Sequence, residues 1–119
     1  IKRVVEAAQK HVVKVILEIP YLTKEEIVEG CKLAEDAGAS FVKTSTGFAG
    51  YNPKVDDVIL MRSAVSGNVQ IKVAGGVRKL DQVFSLIKAG ATRFGINVRS
   101  AVDIVNSFSA KYGDVYELS

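Results

Sequence analysis

Residues 40–53 read SFVKTSTGFAGYNP, and the break inside them decides how the chain is organised. The first six positions hold an apolar core with no helical period, which predicts a strand over residues 40–45. Residues 46–53 are rich in glycine and end on Asn52 and Pro53, so the strand runs directly into a loop. Upstream, Thr23 with Glu26 three residues on forms a capping box, and Ile27, Cys31 and Ala34 mark the apolar face of a helix that stops at Gly38. Downstream, residues 55–65 read as another amphipathic helix, ended by Gly67. A strand with a helix on either side and no hairpin turn is the unit of a parallel sheet.

The unit repeats. Residues 12–19 are a β-branched run stopped by Pro20, residues 69–74 form a third strand broken by Gly75-Gly76, and residues 92–95 form a short fourth. Leu80, Val83, Phe84 and Ile87 fall at i, i+3, i+4, i+7 and predict a helix that ends before Gly90. Ser100 with Asp103 reads as a weaker capping box before a last helix through Ala101, Ile104, Val105 and Phe108, which frays into a polar tail over residues 112–119. Ile1, Val4, Val5 and Ala8 place the start of the chain in a helix as well. The order is a helix followed by four βα units, with Ala37-Gly38-Ala39-Ser40 echoed by Ala89-Gly90-Ala91-Thr92 at the helix-to-strand turns. This α/β chain is expected to be one domain over residues 1–119. A closed (β/α)8 barrel takes about 250 residues, so half a barrel and a small open doubly wound sheet both remain open. A first residue of Ile rather than Met reads as a piece cut from something longer.

Composition narrows the function classes. Net charge is +3 with 48% hydrophobic residues, and the basic residues are scattered among acidic ones, without a stripe or an aromatic platform for nucleic acid. An anionic small substrate is the better use of the surplus charge. No apolar run approaches the roughly 20 residues of a membrane span. One cysteine and one histidine allow neither a disulfide framework nor a metal cluster, so the expectation is a cytoplasmic protein with no metal and no cofactor.

Period two along the strands groups Lys14, Ile16 and Glu18 on one face, then Phe41, Lys43 and Ser45, then Gln70, Lys72 and Ala74. Val13, Val15, Leu17, Val42, Val69, Ile71 and Val73 supply the opposite, helix-covered face. Three lysines on neighbouring strands then sit near one another and near Glu18. A lysine beside a second ammonium, or taken out of water, loses its proton more easily, and a neutral lysine forms a Schiff base with a carbonyl. The periodicity leaves imine chemistry and an ordinary ion-pair network both open.

Two motifs bear on that choice. Phe41-Val42-Lys43-Thr44-Ser45-Thr46-Gly47-Phe48 and Lys72-Val73-Ala74-Gly75-Gly76-Val77-Arg78 resemble the two signature segments of the deoxyribose-phosphate aldolases. Lys14-Val15-Ile16-Leu17-Glu18 with Leu22-Thr23, and Ala89-Gly90-Ala91-Thr92-Arg93-Phe94-Gly95, are similar to the same family, so the resemblance runs from about residue 12 to residue 95. It implies a class I, metal-independent aldolase on a TIM (β/α)8 barrel, of which this chain is strands five to eight preceded by a helix. The implied reaction is reversible cleavage of 2-deoxy-D-ribose 5-phosphate to acetaldehyde and D-glyceraldehyde 3-phosphate. By matching position, Lys43 is implied to be the Schiff-base nucleophile, Lys72 the neighbour that tunes it and moves protons, and Lys14 a supporting charge. Thr46 is implied to place a substrate hydroxyl or a water, with Gly75, Gly76, Gly95 and the backbone of Asn97 and Val98 around the phosphate. The stretch Ile96-Asn97-Val98-Arg99 departs from the family's small, serine-bearing loop, and no segment matches the family's relay aspartate. The implied partners are a phosphosugar and either an N-terminal half barrel or a second copy in a homo-oligomer. Two alternatives stand beside this: a non-catalytic, self-associating half-barrel module, and another Schiff-base phosphosugar aldolase.

Overall fold

The structure is a computed structural model, and it describes residues 1–113. Helix α1 (Lys2–Ala8) leads into β1 (Lys14–Ile16), a single 3-10 turn (Ile19–Tyr21) and α2 (Lys24–Asp36). Strand β2 (Phe41–Lys43) is followed by α3 (Val55–Ala64), β3 (Gln70–Ala74) by α4 (Leu80–Lys88), and β4 (Ala91–Gly95) by α5 (Val98–Tyr112). The expected tail beyond residue 113 lies outside the described residues.

All four strands are parallel, in the order β1-β2-β3-β4. Because each connection steps to the next strand in the same direction, every crossover helix lies on one side of the sheet. A doubly wound sheet reverses its order part-way and puts helices on both faces, so the strand order decides for the barrel type. Four strands are half of a closed barrel.

The core lies between the sheet and the helices. Val42, Ile71 and Val73 are fully buried from the sheet, and they meet Ile27, Cys31 and Ala34 of α2, Val58 and Met61 of α3, Leu86 of α4 and Ile104 of α5. Burying side chains of this size contributes about 1.5–3 kcal/mol each, which fixes the strand register and with it the direction of every residue on the other face. Burial also pushes the Cys31 thiol up to about 11. No helix among the described residues is long and apolar enough to cross a membrane.

The capping box of α2 forms as its sequence requires. The Thr23 side chain accepts from Glu26 N at 3.2 Å, and Glu26 accepts from Thr23 N at 2.7 Å. Several boundaries differ from expectation, among them that of β2, expected over residues 40–45 and observed as Phe41–Lys43. Strand β1 is cut to Lys14–Ile16 because Glu18 turns into the left-handed region, φ 56°, although Leu17 N and Ile19 N still donate to the carbonyls of Lys43 and Thr44. The α3 helix stops at Ala64, before Gly67, because the Arg62 guanidinium donates to the carbonyls of Val65, Ser66 and Val69 and ties down that turn. The last helix is capped by Asn97, whose side chain accepts from Ser100 N at 2.8 Å. Ser100, expected as the cap, is instead buried at the third position of α5. Asparagine is as good a cap as serine, and three positions earlier it gains another turn of helix.

Candidate active site

Parallel pairing places the polar-face residues in two rows. Ile16, Lys43, Lys72 and Arg93 stand opposite one another across the sheet, and Lys14, Phe41 and Gln70 form the row beneath. Lys43 and Lys72 are therefore on adjacent strands at the same level, with backbones about 4.8 Å apart. The alternation read from the sequence brings these two together as expected, with Lys14 one row below.

Thr44, next to Lys43, holds the level. Its buried hydroxyl donates to the Ala74 carbonyl at 3.2 Å and accepts from Ala74 N at 3.1 Å, locking the end of β2 to the end of β3. Its sequence signal was a single threonine directly after the lysine, which alternation alone assigns to the helix side.

Glu18 organises the loop that follows. Its carboxylate accepts from the Ser45 hydroxyl at 2.5 Å, from Thr46 N at 3.0 Å and from the Thr46 hydroxyl at 2.5 Å. Gly47 N then donates to the Ser45 oxygen and Phe48 N to that of Thr46. These hydroxyl bonds, with the Thr46 backbone and the Lys43 charge, hold the Glu18 carboxyl below its usual range. The Thr46 hydroxyl thus faces the site with its donor hydrogen engaged by Glu18 and its oxygen lone pairs as acceptors. The left-handed turn at Glu18 is the strained feature that makes this possible, since it swings the carboxylate across the strand ends.

A depressed carboxyl contributes stability above its unfolded pKa and loses it as pH falls through the folded value. Corrected amide exchange at Thr46, Gly47 and Phe48 is therefore expected to accelerate on going from about pH 6 to about pH 3, ahead of the core strands. Exchange of these amides that tracks the core across that range would contradict the role given to Glu18.

Lys72 is the perturbed base of the pair. Burial, then the charges of Lys43, Lys14 and Arg93, hold its ammonium below the ordinary lysine range, and no carboxylate is among the causes. Its Cε lies 3.6 Å from the point where a Cβ on Gly95 would stand, so the chain extends along β4 toward the C-terminal ends of the strands.

Those ends open into a groove of about 360 Å³ lined by Lys43, Thr46, Gly47, Ala74, Gly75, Gly76, Val77, Arg78, Gly95, Ile96 and Asn97. It brings together Lys43, Thr46, Gly75, Gly76, Gly95 and Asn97 of the residues singled out from the sequence. Lys72 stands behind the lining, Lys14 lies deeper in the sheet, and Val98 is largely exposed as the first residue of α5. Gly47, Ala74, Val77 and Arg78 are added by the structure, having been visible only as parts of the two motifs, and Ile96 joins them from the departing loop. In the departing loop, Ile96 packs against the core and the Asn97 side chain is occupied as a cap, so what they leave for a ligand is backbone N–H. A larger cleft of about 820 Å³ lies between α4 and α5, but neither lysine of the pair lines it.

The Gly75-Gly76 turn sets the groove's floor. Both residues take positive φ, and a Cβ on Gly76 would stand 2.4 Å from the Tyr51 carbonyl oxygen, while one on Gly75 would stand 3.0 Å from Gly47 Cα. Only glycine lets the β2 and β3 loops meet this closely.

Comparison with known proteins places this arrangement. The model of the DeoC/LacD family aldolases matches residues 1–103. The deoxyribose-phosphate aldolase of Bdellovibrio bacteriovorus is 47% identical over 113 residues, covering 95% of this chain and 50% of the relative. That of Mycoplasma capricolum is 51% identical over 94 residues, covering 79% of this chain and 42% of the relative. The solved structure of QR15, an aldolase, superposes with a TM-score of 0.85 at 38% identity, over 93% of this chain and 49% of that one. The chain thus spans about half the length of the curated relatives it matches. With the lysine pair in register, the strand order of a barrel and a family match across most of its length, this chain belongs to the DeoC/LacD family of aldolases.

Proposed function

We propose that this chain is the imine-forming half of a class I aldolase that cleaves 2-deoxy-D-ribose 5-phosphate to acetaldehyde and D-glyceraldehyde 3-phosphate. The observation that carries the reading is Lys43 opposite Lys72 in register, with the Lys72 ammonium disfavoured and no carboxylate compensating it. In this scheme the Lys43 amine adds to the C1 aldehyde of the open-chain sugar, water leaves, and a protonated imine forms. A base takes the proton of the C3 hydroxyl, and the C2–C3 pair moves into an enamine on Lys43. Glyceraldehyde 3-phosphate departs, the enamine is protonated at C2, and hydrolysis of the imine releases acetaldehyde. A neutral Lys72 amine is suited to moving these protons.

The phosphate is assigned to the groove's far end, where the backbone of Gly75, Gly76, Gly95, Asn97 and Val98 meets the N-terminus of α5. Free N–H groups and the helix dipole favour an anion there. Lys14 serves as supporting charge from the row below.

The missing complement is proposed to be the other half of the barrel, from the same longer chain or from a second polypeptide. Among the described residues β1 and β4 each pair on one side only, and the open face presents Lys14, Lys43, Lys72 and Arg93. A second copy would double that cluster of like charges in a low-dielectric interior, whereas a half with inward carboxylates would neutralise it. Two unpaired edges are also what a self-associating module presents, and that second reading predicts a stable dimer of the chain by itself. The deciding experiment is formation of acetaldehyde from 2-deoxyribose 5-phosphate by the chain alone and joined to an N-terminal half. Turnover is expected to be weak alone and raised at least about 100-fold by the complement. No cleavage by the joined protein would refute the reading.

A further inference from the structure

Phe41 presents an anomaly on the open face. It lies on the same side of the sheet as the lysines, which no helix covers, and yet it is only 5% exposed. Two cations cover it: Lys14 Nζ stands 5.7 Å from the ring centroid and the Arg93 guanidinium 5.0 Å. Arg93 belongs to the row of Lys43 and Lys72, not to that of Phe41. It reaches the ring because the pairing of β3 with β4 shifts between Ile71 and Lys72, so that Ala91 faces Ile71 and Arg93 faces Lys72, with Thr92 skipped. Thr92 is held aside by donating to the Gln70 side chain at 3.0 Å. A guanidinium is planar and weakly hydrated, and it rests on an aromatic face at little cost in solvation.

The consequence falls on Lys72. Its in-register neighbour leans toward the deeper row, while the stem of Lys72 runs the other way, to Gly95 two residues further along β4. Along a strand this is about 6–7 Å of separation in level. We propose that Arg93 is a positioning residue for Lys72: seated on the Phe41 ring, it closes the inner end of the sheet face and turns the Lys72 amine toward the groove as a proton acceptor. The charges that face this amine are Lys43 from β2, Lys14 from β1 and Arg93 from β4, with Glu18 across from Lys43. A guanidinium keeps its charge throughout the neutral range, so Arg93 presents a fixed positive charge beside Lys72. The inference rests on the aldolase reading only for the use made of the amine.

Competitive labelling separates the two. Sub-stoichiometric acetic anhydride acylates each lysine in proportion to its neutral, accessible fraction, and peptide mass mapping gives the ratio of Lys72 to exposed Lys24. Removing the Arg93 charge in Arg93→Met or Arg93→Gln is expected to lower that ratio about threefold, and Arg93→Lys to restore most of it. Arg93 is solvent-exposed but rests on the buried Phe41 ring, and Arg93→Met, which keeps an apolar stem over that ring, is expected to melt near the parent chain. An unchanged ratio in both neutral variants, or an equal fall in Arg93→Lys, overturns the inference. Failure to trap an imine on Lys43 in the parent chain would sink the aldolase reading and leave this comparison standing.

Discussion

Lys43→Ala is expected to lower kcat/KM for 2-deoxyribose 5-phosphate cleavage by on the order of 10^4-fold or more in the completed enzyme, since it removes the amine that carries the substrate as an imine. Lys43 contributes no buried core contact that the fold depends on, so melting should be little changed. Lys72→Ala should be less damaging, about 10²- to 10³-fold, because it removes a proton carrier rather than the covalent attachment. The order of these two losses separates their roles: if Lys72→Ala were the more severe, the assignment of nucleophile and base would have to be exchanged.

Gly76→Ala carries the largest expected cost to folding. The added Cβ would stand 2.4 Å from the Tyr51 carbonyl oxygen and 3.0 Å from Pro53 Cδ, at a φ of 76° that alanine rarely adopts. Rigid backbone stands on one side of that clash, so no side chain can swing clear. Together strain and overlap are expected to cost about 2–4 kcal/mol and to lower Tm by about 10 °C. Gly67→Ala is the matched control, because its Cβ would meet nothing within 4 Å. Thermal melts of the two variants with equal Tm would contradict the account of the Gly75-Gly76 turn.

The elements were legible because local signals agreed with one another. Val42, Ile71 and Val73 alternate with the lysines, and Thr23 with Glu26 starts its helix where the capping box says it must. The choice between barrel and doubly wound sheet was not legible from periodicity, because strand order is a non-local property; the resemblance implied the barrel and the pairing of β1 through β4 settled it. Glu18 was placed on the lysine face by counting in twos, yet it reaches Ser45 and Thr46 through a left-handed turn that counting does not contain. Arg93 escaped notice for a similar reason. A register shift between adjacent strands leaves no trace in either strand's own sequence, and it is that shift which sets Arg93 opposite Lys72. The Ile96–Arg99 stretch departs from the family's loop in sequence, and what sequence did not show is that Ile96 also packs against the core and Asn97 also caps α5 while both line the groove.

The central claim is that Lys43 is an imine-forming amine. It is tested most directly by reducing the chain with borohydride in the presence of acetaldehyde and mapping the modified peptide. The account predicts an ethyl adduct on Lys43, absent from Lys43→Ala and weakened in Lys72→Ala. An adduct spread evenly over the exposed lysines, with Lys43 no more labelled than Lys24, would contradict it.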